Sequence, residues 1–407
     1  MLEPVARRLS LAGAVVLLSA VLLLAAPLPA GAAATWSVHP SPNQGTNTNF
    51  LYDVSCATAK SCMAVGFYTA PNVDKTLTES WNGSAWKVVP SPSPGGVWNF
   101  LYDVDCRTAT SCTAVGRYEN DSGVNRTLIE SWDGSAWALV PSPNNGTAPN
   151  ILNGVSCASA SFCVAVGKAQ TGGYDRTLVE TWHGSAWNIT SSPNRGKLGN
   201  GLSDVDCASA KSCIAVGASV DVHGFARTLA ETWNGATWQI VVTPDNGSTG
   251  NALTGVSCGS AKSCHAVGTY GAGANGKSGV PHTLVESWDG SAWSLQQSPN
   301  RSGYANSLAR VSCRTVSACK AVGWSQETSA GARHTLVESL NGSKWVASSS
   351  PNPPTSAQRD NYLGVRGAAL NGVSCVAAGA CTAVGFYGTG FHSPGGSVDH
   401  SLVERYG

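Results

Sequence analysis

The sequence predicts an all-β fold, a seven-bladed β-propeller of four-stranded antiparallel blades, and three observations carry that expectation. One stretch is written seven times, each copy holds four short strand patterns, and the two ends of the chain supply complementary parts of one blade. The stretch first reads Leu51-Tyr-Asp-Val54-Ser-Cys56 and, after five residues, Cys62-Met-Ala64-Val65-Gly66. Later copies open at Leu101, Leu152, Leu202, Leu253, Leu308 and Leu370, so the opening leucines are 50, 51, 50, 51, 55 and 62 residues apart. A period of about 50 residues is the length of four short strands and their turns.

Within one copy the strands follow in order. Leu51–Cys56 is the first and Cys62–Tyr68 the second, and a variable loop, Phe67–Asp74 in the first copy, follows. Thr76–Trp81 alternates as a third strand should. Asn82-Gly83 is expected to supply two positive-φ positions for a tight hairpin, and Trp86 opens the fourth strand. The proline-rich run from Pro90 to Gly96 cannot stay in a sheet and links to the next copy.

The last copy stops at Leu402-Val-Glu404-Arg-Tyr406-Gly407, having reached its third strand without a fourth. The segment Ala34-Thr35-Trp36 through Pro42 matches the fourth-strand segment Ala236-Thr237-Trp238 through Pro244. A solenoid would need capping repeats at both ends. A ring closed by the N-terminal strand completing the last blade needs none and removes both open edges. Residues 35–407 are therefore expected to form one propeller.

Residues 1–34 differ in kind. Arg7 and Arg8 precede an apolar run from Leu9 to Ala26, then Pro27, Pro29 and small residues up to Ala34. This pattern is that of a secretory signal peptide, with an uncleaved membrane anchor as the alternative. No other stretch could span a bilayer, so the mature chain is expected to be secreted, extracellular, free of the membrane and monomeric. Charged residues are 12% of the chain, about half the usual share, and the net charge is +1. That balance excludes the electrostatic footprint of a nucleic-acid partner.

All fourteen cysteines belong to the repeats. Each pair flanks a five-residue connection between adjacent antiparallel strands, so disulfides are expected between Cys56 and Cys62, Cys106 and Cys112, Cys157 and Cys163, Cys207 and Cys213, Cys258 and Cys264, Cys313 and Cys319, and Cys375 and Cys381. A loop this short is worth roughly 2 kcal/mol per bridge in the chain-entropy model. The spacing exceeds the usual zinc pattern and no histidine recurs beside it, so no metal is expected.

The third strands carry a base two residues before a leucine and an acid two after it. The bases are Lys75, Arg126, Arg176, Arg227, His282, His334 and His400; the acids are Glu79, Glu130, Glu180, Glu231, Glu286, Glu338 and Glu404. Spacing of four on a strand places both on one face, where a buried acid needs a partner. Sevenfold recurrence points to a structural hydrogen-bond or ion-pair element rather than to catalysis, which would be marked by residues that break the repeat. The paired tryptophans flanking the turn, such as Trp81 and Trp86, are likewise expected to pack within and between blades.

Antiparallel order puts the short first-to-second and third-to-fourth connections on one face of the ring. The variable loops and links reach the other, which is the expected binding surface. Its aromatic candidates are Trp98, Tyr118, Tyr174, Phe225, Tyr270, Tyr304, Trp324, Tyr362 and Phe391. Exposed aromatic rings with polar neighbours suit carbohydrate or peptide stacking. The histidines and acids of that face show no spacing of a metal site, an activated nucleophile or a carboxylate pair, so no catalytic residue and no cofactor is assigned.

The repeat is similar to the propeller unit of the BNR/Asp-box group and, more closely, to photosystem II assembly-factor-like repeats. Those share a Leu-x-x-Val start, an Ala-Val-Gly second strand and a glycine three residues before a tryptophan, matched here by Leu51, Val54, Ala64-Val65-Gly66, Gly83 and Trp86 over about residues 36–407. Cys56 and Cys62 replace the usual aromatic residue and glycine, and Trp81 stands where an Asp box has its aspartate. The cysteine-containing form resembles repeats of secreted proteins from high-GC Gram-positive bacteria. The resemblance implies the propeller fold, and the sialidase arginine triad and tyrosine–glutamate pair have no counterparts here. The expected function is a secreted, disulfide-stabilised, non-catalytic module that binds a cell-surface polysaccharide or protein. The alternatives are an extracellular glycoside hydrolase or lyase, and an envelope assembly or scaffold factor.

Overall fold

The computed structural model describes residues 34–247, 250–272, 279–301, 303–329, 331–353, 367–392 and 396–407. The leader expected at residues 1–34 lies outside them apart from Ala34. Among the described residues there is no helix, and 28 strands form seven four-stranded antiparallel sheets. The N-terminal strand is β1 (Trp36–His39), and blade 1 runs β2 (Asn49–Thr58), β3 (Ser61–Ala70), β4 (Val73–Trp81) and β5 (Trp86–Val89) in that spatial order. Blades 2 to 6 repeat it from inner strands β6 (Asn99–Thr108), β10 (Asn150–Ser159), β14 (Asn200–Ser209), β18 (Gly250–Ser260) and β22 (Ala305–Thr315). Blade 7 consists of β26 (Ala368–Ala377), β27 (Ala380–His392) and β28 (Gly396–Tyr406), and β1 completes it with Trp36 opposite Tyr406 and His39 opposite Val403. The ring is closed by the N-terminal strand, as the ends of the sequence require.

Two local expectations change. The loop expected over Phe67–Asp74 shrinks to a two-residue turn at Pro71-Asn72, because β3 and β4 pair out to Ala70 and Val73. In the turn between β4 and β5 only Gly83 has positive φ, at 96°. Asn82 instead folds its side chain inward, its Oδ1 accepting hydrogen bonds from the Ser84 and Ala85 amides. The repeat needs its other invariant glycine for space: a Cβ on Gly66 would lie 1.8 Å from the Phe50 carbonyl oxygen, where β2 bulges against β3.

The core is a series of contacts between blades. Val164, Val166 and Val179 of blade 3 pack with Leu202, Val205, Leu229 and Trp238 of blade 4, and equivalent clusters join the other neighbours. All seven cysteine pairs are bridged, with Cα atoms 3.9 to 4.0 Å apart between directly opposed strand positions. No helix among the described residues is long and apolar enough to cross a membrane.

Hydrogen bonds between blades form two complete or nearly complete circuits. On the inner strands the amide of the first cysteine of each pair donates to the preceding blade, as Cys106 does to Ser55 Oγ at 2.9 Å and Cys157 to Asp105 Oδ2 at 2.6 Å. Serine fills the acceptor position in five blades and aspartate in two, and the seam obeys the same rule, the Cys56 amide donating to Ser374 Oγ at 3.0 Å. The second circuit uses the glutamates, which are fully buried. Ser41, Ser91, Ser142, Ser192, Ser298 and Ser350, each in the proline-rich link of the preceding blade, donate to Glu79, Glu130, Glu180, Glu231, Glu338 and Glu404. The glutamates are thus structural, but their partners are these hydroxyls and not the strand bases. Arg126 and Arg176 donate instead to backbone carbonyls of the following link, and Arg227 pairs with Asp221.

One link departs from the pattern. Thr243 stands in the serine position and donates to Thr228, and neither oxygen of the buried Glu286 has a hydrogen-bond partner among the described residues. Replacing Thr243→Ser restores the donor used at the six other joints. The expected gain is about 1 kcal/mol of unfolding free energy, read as a higher denaturation midpoint, whereas an unchanged or lower midpoint would show that the missing bond costs nothing.

Candidate active face and channel

The loop face opens where the inner strands begin. There the residue before each repeat leucine pairs with the residue after each Ala-Val-Gly: Phe50 with Phe67, Phe100 with Arg117, Ile151 with Lys168, Gly201 with Ala218, Ala252 with Thr269, Ser307 with Trp324, and Ala369 with Phe386. These fourteen positions are equivalent in the repeat and unequal in chemistry. Blades 7, 1 and 2 present the rings Phe386, Phe50, Phe67 and Phe100, blade 6 presents Trp324 with Arg333 over it, and blades 4 and 5 present small side chains.

The rings form one continuous arc. Phe386 stacks on Phe50 with centroids 4.4 Å apart, Phe50 meets Tyr52 at 4.8 Å, and Phe67 meets Phe100 edge-on at 4.8 Å. Tyr52 and Tyr102, from the bulge of adjacent inner strands, contact each other at 5.0 Å. Arg117 closes the arc: its Nε donates to Tyr102 Oη at 2.7 Å, its guanidinium lies 4.8 Å from the Phe100 centroid, and Trp98 is 5.8 Å away. Burial raises the pKa of both tyrosine hydroxyls, so they remain neutral donors. No carboxylate among the described residues forms an ion pair with Arg117. The arc is therefore a largely half-buried apolar cluster whose edge carries Arg117, held by Tyr102 Oη and Asn125 Oδ1 and without a carboxylate partner among the described residues.

Below it, inside the channel, a third set of repeat positions breaks the symmetry. The residue before the repeat valine is Asp53, Asp103, Gly154, Asp204, Gly255, Arg310 and Gly372 around the ring. The aspartates accept from the valine amides of the next blade, Val104, Val155 and Val256. Where glycine stands, the preceding side chain bridges instead: Asn153, Thr254 and Asn371 donate to the carbonyls of Leu202, Leu308 and Leu51. Glycine is required there because a Cβ on Gly372 would lie 2.6 Å from the Asp53 Cα. Arg310 reaches across the axis. Its guanidinium is 3.6 Å from Asp103 and donates to the carbonyls of Thr254 and Asn153, and Asp53 and Asp103 share a hydrogen bond. Burial raises the pKa of all three aspartates, and for Asp103 the Asp53 charge adds to the effect while Arg310 opposes it. Among the described residues no group of three or more His, Cys, Asp or Glu is arranged to hold a metal ion.

The loop aromatics singled out from the sequence are dispersed. Trp98 is 43% exposed and belongs to the arc, whereas Tyr118 packs into the core between blades 1 and 2. Tyr174 is 46% exposed with Arg176 5.8 Å from its centroid, while Arg227 lies 5.9 Å from the Phe225 ring and Arg333 only 3.9 Å from the Trp324 centroid. Tyr270 packs against the core of blades 4 and 5 beside His282, and Tyr304 is half-buried ahead of β22. Tyr362 and the side chain of Phe391 lie outside the described residues. The residues that do assemble, Phe50, Tyr52, Phe67, Phe100, Tyr102, Arg117 and Phe386, stand at strand ends and not in loops. The signal that marks them is their inequality at equivalent repeat positions, above all the doubled Asn-Phe-Leu-Tyr-Asp-Val of blades 1 and 2.

No family model matches the chain, and no curated protein sequence matches it. Solved structures do match. One titled "YCF48 bound to D1 peptide" superposes with a TM-score of 0.50 at 14% identity, covering 91% of this chain and 96% of that one. At that identity the likeness establishes the fold.

The channel cluster yields a test. Arg310→Met leaves three buried carboxylates without their counter-charge and is expected to cost about 3–5 kcal/mol at pH 7. The loss should be smaller at pH 5 than at pH 7, because burial raises all three carboxyls and protonation as pH falls relieves the missing counter-charge. Urea unfolding at both pH values decides, and an equal loss at the two would contradict the electrostatic role.

Proposed function

We propose that the protein is an exported, disulfide-stapled binding module that recognises a protein segment at the cell surface through the aromatic arc of blades 7, 1 and 2. The observation that carries this reading is the arc itself: rings, and an arginine with no carboxylate partner among the described residues, concentrated on one side of a channel mouth where blades 4 and 5 present small residues. Packing needs repetition, and a recognition surface needs this departure from it. Aromatic and arginine side chains in this combination are the common anchors of protein interfaces. Seven disulfides suit an oxidising compartment outside the cytosol. The fold neighbour's title records a bound peptide, which supports peptide recognition on this architecture. An assembly or scaffold role is the same activity with a protein client. A glycoside hydrolase would need two facing carboxylates open to substrate, and the closest pair, Asp53 and Asp103, is buried beneath Arg310.

Arg117 favours a peptide that places a carboxylate beside apolar side chains. Peptides selected on the immobilised oxidised protein from a random display library are expected to carry that pattern. Arg117→Ala and Phe50→Ala take residues that blades 4 and 5 carry at the same positions, so the blades should tolerate them. Each is expected to weaken the selected peptides about tenfold by calorimetry, about 1.4 kcal/mol, with little change in thermal stability. Peptides that bind both variants as tightly as the parent would place recognition elsewhere.

A further inference from the structure

The opposite face, which carries the disulfide hairpins, has its own departure from the repeat. The side chain after the second cysteine of each blade projects toward the next blade, and its size decides how well that joint is filled. Met63 packs into the core of blade 2, Val164 into that of blade 4 and Ile214 into that of blade 5. His265 reaches Trp345, with ring centroids 5.6 Å apart, and Lys320 lies 4.1 Å from the Tyr406 ring. At the joint of blades 7 and 1 the residue is Thr382, and Arg405 fills the space by lying 4.3 Å from the Trp81 ring. Blade 2 uses neither solution. Thr113 stands after its second cysteine and Ser131 occupies the position of Arg405.

The result is a cleft of about 190 Å³ between blades 2 and 3, lined by Asp105, Thr113, Ser131, Trp132 and Trp182 with Arg107 at its rim. The matching gap between blades 6 and 7 is smaller, about 130 Å³, and its charged lining is Arg314 and Lys320. Asp105 also departs from the pattern, since five blades carry serine there. Only Oδ2 is used, by the Cys157 amide, and Oδ1 accepts no hydrogen bond from the described residues. Blade 4 carries the equivalent Asp206, but Ile214 closes that joint. Acid and open space coincide in blade 2 alone.

A cavity of about 150 Å³ accepts a benzene ring, so this one admits a six-membered ring with substituents. Its lining alternates hydroxyl and carboxylate oxygens with indoles, which fits a ring that is apolar on its faces and hydroxylated at its edge. Arg107 opposes a cationic ligand. We propose that the cleft between blades 2 and 3 binds one sugar unit of a glycan, with its C–H face on indole surface and its hydroxyls donating to Asp105 Oδ1. Burial lifts the Asp105 carboxyl to about 6, so donors from a ligand would replace the water it has lost. The site is separate from the aromatic arc, on the other face of the ring.

The test is saturation-transfer NMR on the full oxidised chain with the methyl glycosides of glucose, galactose, mannose and N-acetylglucosamine, followed by calorimetry on any that respond. Millimolar binding of at least one is expected. Thr113→Met installs the residue blade 1 uses and should abolish binding without loss of thermal stability. Asp105→Ser installs the residue of five other blades, keeps an acceptor for the Cys157 amide, and should weaken binding at least tenfold. Arg117→Ala should leave sugar binding intact, which separates this site from the peptide surface. Absence of transfer to all four glycosides, or binding that survives both Thr113→Met and Asp105→Ser, would overturn the proposal.

Discussion

The structure depends on seven glutamates that no blade can satisfy by itself. Each lies fully buried on a third strand, and six of the seven receive a serine hydroxyl from the link that leaves the preceding blade. A buried polar group without a partner costs more than the bond it would form, so each blade completes its neighbour. The same logic governs the inner circuit, where the amide of the first cysteine of each pair is satisfied by the blade before it. Disulfides hold the hairpins within blades, and these hydrogen bonds hold blades to one another. A ring is the one arrangement of such units that leaves no joint open.

This division explains what the sequence shows and what it conceals. Leu51, Val54, the cysteine pair and Ala64-Val65-Gly66 recur at fixed spacing, and that is enough to give blade number, strand order and the closing strand. The glutamates also recur, but their partners stand some 38 to 54 residues away, in links that look like proline-rich spacers. A pattern read within one copy pairs each glutamate with the base on its own strand. Only the three-dimensional joint reveals that the Ser-Pro step of these links is a donor motif.

The candidate site was legible in a different sense. Loops were the natural place to seek ligand contacts, and of the loop aromatics Tyr118 and Tyr270 pack into joints and Phe225 and Trp324 lie beneath arginines. The arc arises from Phe50, Phe67, Phe100 and Phe386, which read as ordinary strand residues until seven equivalent positions are set side by side. Repeat symmetry thus divides the molecule. Positions that repeat build the ring, and positions that differ, in the arc, the channel and the joint between blades 2 and 3, supply its chemistry.

The central claim is that the glutamate circuit is built for neutral side chains, and stability as a function of pH tests it most directly. Burial, opposed by the serine hydroxyls, raises Glu79, Glu130, Glu180, Glu338 and Glu404 to about 8, and burial does the same for Glu286 and brings Glu231 to about 7, from an ordinary 4.5. The folded chain therefore holds more protons than the unfolded chain between these values, and its stability must be greatest below about 4.5 and fall as pH rises through 8. His39 and His265, lowered by burial, act in the opposite sense, whereas Asp53, Asp103, Asp105, Asp204 and Asp206, raised by burial, act with the seven glutamates. Thermal unfolding of the oxidised protein between pH 5 and 8.5 should show a melting temperature that falls steadily with pH, and one that stays level or rises would contradict the account.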